Sequence, residues 1–378
     1  MREKFMENLV LYRKYRPRSF GEVVNQEHVV QTLSNALTMG KVAHAYLFTG
    51  PRGTGKTTIA RLLAKAVNCE NRKDSAEPCN KCGACGEINA GRALDLIEID
   101  AASNRGIDEI RDLREGIKFS PTRLRYKVFI IDEVHMLTRE AFNALLKTLE
   151  EPPAHAIFIL ATTELHKVPA TILSRCQRFD FHKLSLEKIV ERLALIAKKE
   201  GVKVAEEALN LIAVNAEGAM RDAESLLGQV IAVEDKEITL KEVQVILGTT
   251  DIASAKAMAD YLAIKNSAGA LELINKLAQD GADLAQFNKS LINYLRKMMI
   301  LASAASLGAP DKQFKNLIAP ELTDEQIKIM LEQSQKFTSA DYIKILHLLV
   351  RAENEIKFAI LPQLPLELVV AELAIKDI

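Results

Sequence analysis

The eight residues Gly50-Pro51-Arg52-Gly53-Thr54-Gly55-Lys56-Thr57 constrain this chain more than any other stretch. They fit G-x-x-x-x-G-K-[ST] and stand where that pattern has meaning. A short apolar run, Ala45 to Phe48, leads into them, and a helix with Ile59, Ala60, Leu63, Ala64 and Val67 on one face follows. Phosphates need backbone N–H groups that approach closely, which glycine permits sterically, and the helix adds its N-terminal partial charge. Gly50 to Thr57, with Thr58 just inside the helix, are therefore the candidate phosphate cradle. Lys56, read as an exposed point charge, can reach the β- and γ-phosphates, and the Thr57 hydroxyl can ligate Mg²⁺.

A strand–loop–helix unit of this kind requires partners, and the rest of the first half supplies them. A helix runs from about Gln26 to Met39 and stops at Gly40. Strands are expected near Leu94–Ile99, Val128–Ile131 and Ile157–Leu160, with helices near Ile107–Ile117 and from Thr138, as N-cap, to Glu150. Alternation up to about Phe181 predicts a parallel sheet covered on both faces. Beyond it strand signals vanish. Residues 184–247 read as short helices, with Thr239 and Glu242 a candidate capping box, and everything from Asp251 onward has helical period. Phe287, Leu291, Tyr294, Leu295 and Met298 form one stripe there, and Thr323 with Gln326 offers another capping box. The division expected is an α/β core over 1–183, a small helical lid over 184–247 and a helical bundle over 248–378.

The run Val128-Phe129-Ile130-Ile131-Asp132-Glu133 carries the second signature. An acidic pair ending a strand is usually a solvated turn. Beside a phosphate loop, at the carboxyl edge of a parallel sheet, it is the acidic partner of nucleotide hydrolysis. Asp132 would hold Mg²⁺ through water, and Glu133 would orient or deprotonate the attacking water.

Cys69, Cys79, Cys82 and Cys85 follow C-x9-C-x2-C-x2-C, which suits a closed tetrahedral Zn²⁺ site, with Lys81 and Gly83 in the tight turns. An iron–sulfur cluster uses the same thiolates and stays open as an alternative. The expected zinc is structural, and its removal should loosen the 69–85 insertion locally. Cys176 reads as packing, and His135 as a hydrogen-bonded structural group.

Charge and composition set limits. Lysine plus arginine total 50 and aspartate plus glutamate total 50, so nucleic-acid contact must come from a local patch. The basic run Arg105–Lys127 is usually just the wet face of a helix. With no tryptophan and 5% aromatics, stacking platforms for single strands are not expected. No apolar run reaches the roughly 18 residues that span a bilayer, and residues 1–17 lack the apolar stretch of a signal peptide. A cytoplasmic protein with no membrane association is expected.

Taken in order, LYRKYRPRSF, GEVVNQEHVV, GPRGTGKTT, the four-cysteine insertion, LIEIDAASNRGIDEIRDL, FIIDEVHMLTREAFNALLKTLEEPP, FILATTELHKVPATILSRCQRF and EGAMRDAESLL resemble one family. It is the gamma/tau subunit family of the bacterial DNA polymerase III clamp loader, a group of AAA+ ATPases. The resemblance is close over residues 8–245, and the helical remainder is similar to the family's collar domain in length and character.

The resemblance implies an ATP-hydrolysing motor subunit of the DNA-directed DNA polymerase III holoenzyme, loading a sliding clamp onto primed DNA. Its implied partners are the other subunits of a hetero-pentamer, the clamp and primer–template DNA. Thr162-Thr163 matches the sensor 1 position. Arg175 matches an arginine finger acting on a neighbour's ATP, and Arg221 matches sensor 2. Tyr12 to Pro17 and Val23-Val24 fall where the family borders adenine. Arg111 and Lys147 match its DNA-facing positions, while Asn104 and Gly106 stand where relatives often carry basic residues. The family's longer form continues into further domains, and this chain is expected to be either a short form or the front of a longer one. A translocating motor and a non-hydrolysing scaffold are the rival readings. Intact Lys56, Thr57, Asp132 and Glu133 oppose the second, and the first would call for a dedicated DNA hairpin, which the sequence does not display.

Overall fold

Five short strands separated by connections long enough for crossovers pair in parallel. The computed structural model describes residues 9–72, 75–104, 115–233, 237–246, 251–306 and 324–374. It divides into two compact units, Met1–Ile238 and Thr239–Ile378.

In the first unit, helix α1 (Leu11–Lys14) and a single 3₁₀ turn (Phe20–Glu22) precede α2 (Glu27–Thr38). Strand β1 (Ala45–Thr49) enters the glycine loop, and α3 (Lys56–Val67) leaves it. The cysteine insertion ends in α4 (Gly83–Asn89), followed by β2 (Leu96–Asp100) and β3 (Lys127–Asp132). Then come α5 (Arg139–Glu150), β4 (Ala156–Thr162), α6 (Ala170–Leu173) and β5 (Gln177–Asp180). The strands are parallel in the order β2-β3-β4-β1-β5, so the loop-bearing strand lies between β4 and β5.

Side-chain alternation along β1 builds both faces of the core. Tyr46 and Phe48 pack with Leu33, Ile59, Leu63, Ile130 and Ile159 on one side. Ala45 and Leu47 pack with Phe129, Phe142, Leu145, Phe158 and Leu160 on the other. Thr138 caps α5 as expected, accepting from the Ala141 N–H at 3.3 Å. Strand β2 begins later than its hydropathy suggests. Leu94 stays exposed, while Asp95 turns inward to accept from the backbones of Thr122, Arg123 and Leu124 at 2.8–3.0 Å. Most of the helix expected near Ile107–Ile117 lies outside the described residues.

Helices α7 (Leu186–Glu200), α8 (Glu206–Asn215) and α9 (Met220–Val233) complete the unit. Strand signals do not vanish after Phe181 as expected. Lys203–Val204 (β6) and Glu237–Ile238 (β7) form a parallel pair, too short for any periodicity to reveal. Leu11 of α1 packs over Gly228 of α9, where a side chain's first carbon would lie 3.4 Å from Leu11 Cγ.

The second unit is helical: α10 (Leu240–Ile246), α11 (Asp251–Ala263), α12 (Ser267–Gln279), α13 (Leu284–Ser306), α14 (Asp324–Ser334), α15 (Ser339–Ile356) and α16 (Leu364–Ala374). The expected stripe Phe287, Leu291, Tyr294, Leu295 and Met298 is buried in its core. The Thr239–Glu242 capping box forms, while Thr323 lies outside the described residues. Among the described residues, no helix is long and apolar enough to cross a membrane.

Candidate nucleotide site and cysteine cluster

The order β3-β4-β1 sets the carboxyl ends of three strands side by side, the place where ligands of parallel sheets bind. Thr49 ends β1 opposite Thr162 of β4, and the Gly50 N–H donates to the Thr162 carbonyl at 3.2 Å. The loop then needs its glycines. Gly50 has φ +142°, and a Cβ there would lie 2.3 Å from the Phe181 carbonyl oxygen. Gly53 has φ +76°, and its Cβ would meet Ala219 at 2.7 Å, where the chain enters α9. The cradle is thus closed against both the end of the sheet at Phe181 and the start of α9 at Ala219.

Lys56 is not the exposed point charge expected. It is 6% exposed and donates to the carbonyl oxygens of Gly50 and Pro51, both at 2.7 Å. The reason is geometric: at the first turn of α3 its side chain folds back under the loop. Burial holds its pKa below the ordinary lysine range, with Glu133 and Asp132 pulling the other way.

The Thr57 hydroxyl donates to Asp132 Oδ2 at 2.6 Å, so the two proposed metal-side oxygens already meet. This pairing of a hydroxyl with a carboxylate is the donor set that Mg²⁺ accepts beside a triphosphate. Glu133 adopts φ +48°, which turns its carboxylate away from the strand line toward β4. Its Oε2 accepts from the hydroxyl of Thr163 at 3.0 Å and from the Thr163 N–H at 3.3 Å. Thr162 is fully buried, with its hydroxyl 2.9 Å from His135 Nδ1 and accepting from Glu164 N–H at 3.0 Å. The two threonines thus divide: Thr163 holds Glu133, and Thr162 braces the turn through His135.

These groups open into a cavity of about 810 Å³. Its far wall is apolar, with Pro17, Val23 and Val24, and its rim carries Arg13, Arg16, Arg52, Arg61, Arg192 and Arg221. Arg61 is paired with Glu98 and Arg192 lies beside Glu224, which leaves Arg13, Arg16, Arg52 and Arg221 with Lys56 next to the apolar residues, a lining that suits a ligand with a flat base and a polyanionic tail. Arg221 reaches over the Tyr12 ring, 4.7 Å from its centroid, and Arg192 donates to the Tyr15 carbonyl at 2.7 Å.

Sequence reasoning missed Arg61, Glu98, Asp100, Arg192 and Glu224, all in this lining. Glu224 had a readable signal. It lies one helical turn after Arg221, next to the buried Ala223 and on the face that buries Leu227. It is 5% exposed and 3.8 Å from Arg192 Nε, and burial pushes its carboxyl up to about 7 against the pull of Arg192 and Arg16.

The four cysteines come together as the spacing predicted. Their sulfur atoms all lie within 4.8 Å of one another, with Cys79 and Cys85 at 3.9 Å. Four ligands at a Zn–S distance of about 2.3 Å place sulfurs about 3.8 Å apart, so the set fits one zinc ion. A multi-iron cluster would stand between the sulfurs and spread them. Backbone N–H groups of Cys79, Lys81, Cys82 and Cys85 point at cysteine sulfurs at 3.3–3.5 Å, a cradle for thiolates. The left-handed turn residue is Asn80, with φ +58°, rather than Lys81 or Gly83.

Arg175 is absent from the cavity lining. Its guanidinium donates to the Thr171 carbonyl at 2.8 Å, Ser174 Oγ at 3.1 Å and Glu150 Oε1 at 2.5 Å, on the outer surface beyond α6. Cys176 packs against the core, and burial raises its thiol to about 11. Lys147 is exposed on α5, Asn104 donates to the Asp100 carbonyl at 3.0 Å, and Gly106 and Arg111 lie outside the described residues.

Residues 25–185 match a family model described as DNA polymerase III, delta subunit. Residues 188–236 match the ATPase lid domain of a DNA polymerase III clamp loader subunit, and 238–377 match domain III of DNA polymerase III subunits gamma and tau. DNA polymerase III subunit tau of Bacillus subtilis is 46% identical over 368 residues, covering 97% of this chain and 63% of the relative. Subunit tau of Escherichia coli is 46% identical over 304 residues, 80% of this chain and 47% of the relative. Subunit gamma of Buchnera aphidicola subsp. Schizaphis graminum is 41% identical over 341 residues, 90% of this chain and 92% of its own length. The chain spans under two thirds of both tau relatives and nearly all of the gamma relative. Identity sustained from the phosphate loop into the last helical unit, at a level no shared fold alone produces, places the chain in the gamma/tau family of DNA polymerase III subunits.

Proposed function

We propose that this chain is an ATP-hydrolysing AAA+ motor subunit of a bacterial clamp loader, working with its companion subunits to place a sliding clamp on primed DNA in the cytoplasm. Its parts are a nucleotide-binding core (1–183) with a zinc-holding insertion (69–85), a lid (184–247) and a collar (248–378). The observation that carries the reading is the junction of Thr57, Asp132, Glu133 and Thr163 at one sheet edge beneath the Lys56 loop.

Each residue has a task. The loop from Gly50 to Thr58 wraps the phosphates with N–H groups. Lys56 exchanges its two carbonyl partners for phosphate oxygens, and Thr57 with Asp132 holds Mg²⁺, which neutralises phosphate charge when bound. Glu133, aimed by Thr163, orients water for in-line attack. Arg221, from the lid, stands over the cavity mouth. Arg175 faces outward, so its guanidinium serves a triphosphate held by a neighbouring subunit. Cys69, Cys79, Cys82 and Cys85 hold a structural Zn²⁺. Lys147 supports contact with DNA phosphates.

The test is a mixed assembly of Lys56→Ala subunits, deficient in ATP binding, with Arg175→Ala subunits. Each alone should lose ATPase, by about 10³-fold or more for the finger. Mixing should restore activity wherever an intact Lys56 site meets an intact Arg175. No recovery at any ratio, with assembly confirmed, would sink the division of labour between subunits. ATPase indifferent to clamp and primed DNA would sink the clamp-loading role.

A further inference from the structure

The cysteine insertion and the nucleotide cavity share no residue, yet a short turn joins them. Glu77 lies between Cys69 and Cys79, and its carboxylate accepts from the N–H groups of Phe20 and Gly21, both at 2.8 Å. Those are donors at the start of the 3₁₀ turn, which has no side-chain cap of its own. The Arg18 carbonyl on the same turn accepts from Lys65 Nζ at 2.7 Å and from Asn80 Nδ2 at 3.0 Å. Lys65 is 2% exposed and completes its three donations on Asn80 Oδ1 at 2.7 Å and Asn89 Oδ1 at 3.0 Å. It stands on α3, the helix that opens at the phosphate loop.

This turn is bracketed by cavity wall. Pro17 precedes it, and Glu22, Val23 and Val24 end or follow it, all four lining the nucleotide cavity. Glu22 also accepts from the Arg18 N–H at 2.7 Å, closing the turn on itself. Glu77 and Asn80 thus stand between the four cysteines and the apolar wall of the cavity. A metal that fixes the cysteines fixes where Glu77 and Asn80 stand.

We propose that Glu77 and Asn80 are positioning residues for nucleotide. Through the Arg18–Gly21 turn they set the base-side wall of the cavity, and so make the metal-holding insertion a determinant of nucleotide affinity. This rests on the nucleotide reading above. The two ends of the ligand separate its consequences. The phosphate loop joins β1 to the first turn of α3, whereas Lys65 ties only the last turn of that helix to the Arg18–Gly21 turn and Pro17 and Val23-Val24 adjoin the turn directly. Charge-assisted bonds from two backbone donors cannot be reproduced by an amide, which offers one acceptor oxygen.

The experiment uses the full chain with metal content measured on every sample, and titrates ATP and inorganic tripolyphosphate separately. Glu77→Gln should retain its zinc and weaken ATP by about tenfold, while tripolyphosphate binding stays within twofold or so. Asn80→Gly keeps the left-handed backbone and loses the side-chain bonds to Arg18 and Lys65, so it should act in the same direction even if Glu77→Gln folds poorly. Removing zinc from the parent with a chelator should reproduce the split. Equal loss of both ligands, or a lowered Tm with ATP affinity unchanged, would reduce Glu77 to a brace and overturn the proposal. A parent chain that binds neither ligand would instead overturn the nucleotide reading itself.

Discussion

The Lys56 ammonium is hydrogen-bonded to Gly50 and Pro51 yet held out of water, and its depressed pKa records that the native state carries this charge at a penalty. Lys56→Met keeps the stem and removes the charge. Its Tm should equal or exceed the parent's at neutral pH, while ATP affinity falls by about a hundredfold or more. The stability gain should shrink in alkaline solution, because the native parent sheds its proton before the unfolded chain does. Calorimetry across pH beside an ATP titration checks both halves. Glu224 presents the opposite sign. Its carboxyl sits at about 7 instead of 4.5, so the native state binds the extra proton, and stability declines as pH rises between those values and stays reduced above. Glu224→Gln should therefore stabilise the chain at pH 8 by up to about 3 kcal/mol, with the gain vanishing near pH 4.5. A gain independent of pH would show that something other than the buried charge had been removed.

At the scale of elements, the sequence was most readable where one local rule decides. Ala45 to Phe48 and Val128–Ile131 are apolar throughout because both sheet faces are covered, and Thr138 caps α5 because only its own helix needs the donor satisfied. Legibility failed where a long-range partner decides. Asp95 delays β2 by accepting from residues 27 to 29 positions later, and the β6–β7 pair exists only because two distant dipeptides meet. Lys56 was misjudged for the same reason, since the loop folding over it is tertiary. The capping box at Thr338 shows a narrower miss. Its partner is Asp341 rather than glutamate or glutamine, so a search for the longer side chains passes over it, although both reciprocal bonds form. Thr338→Ala should destabilise the helical unit by about 1 kcal/mol, read in urea with an unchanged m-value.

Across the whole molecule, every residue lining the nucleotide cavity and all four clustered cysteines precede residue 225, within the unit Met1–Ile238. A fragment of residues 1–238 should therefore fold alone, carry about one zinc by elemental analysis and bind ATP as the full chain does. A fragment that folds with its zinc but binds ATP markedly more weakly would place part of the site's support in the helical unit. One small feature bears on what such a site can transmit. The ladder of Lys203–Val204 with Glu237–Ile238 closes α8 and α9 into a loop whose two ends are hydrogen-bonded together. Arg221 and Glu224 ride on that closed loop. A hairpin pinned at its base can pivot there as one piece, so a displacement of Arg221 would carry α8 and α9 together about the ladder at Val204 and Ile238.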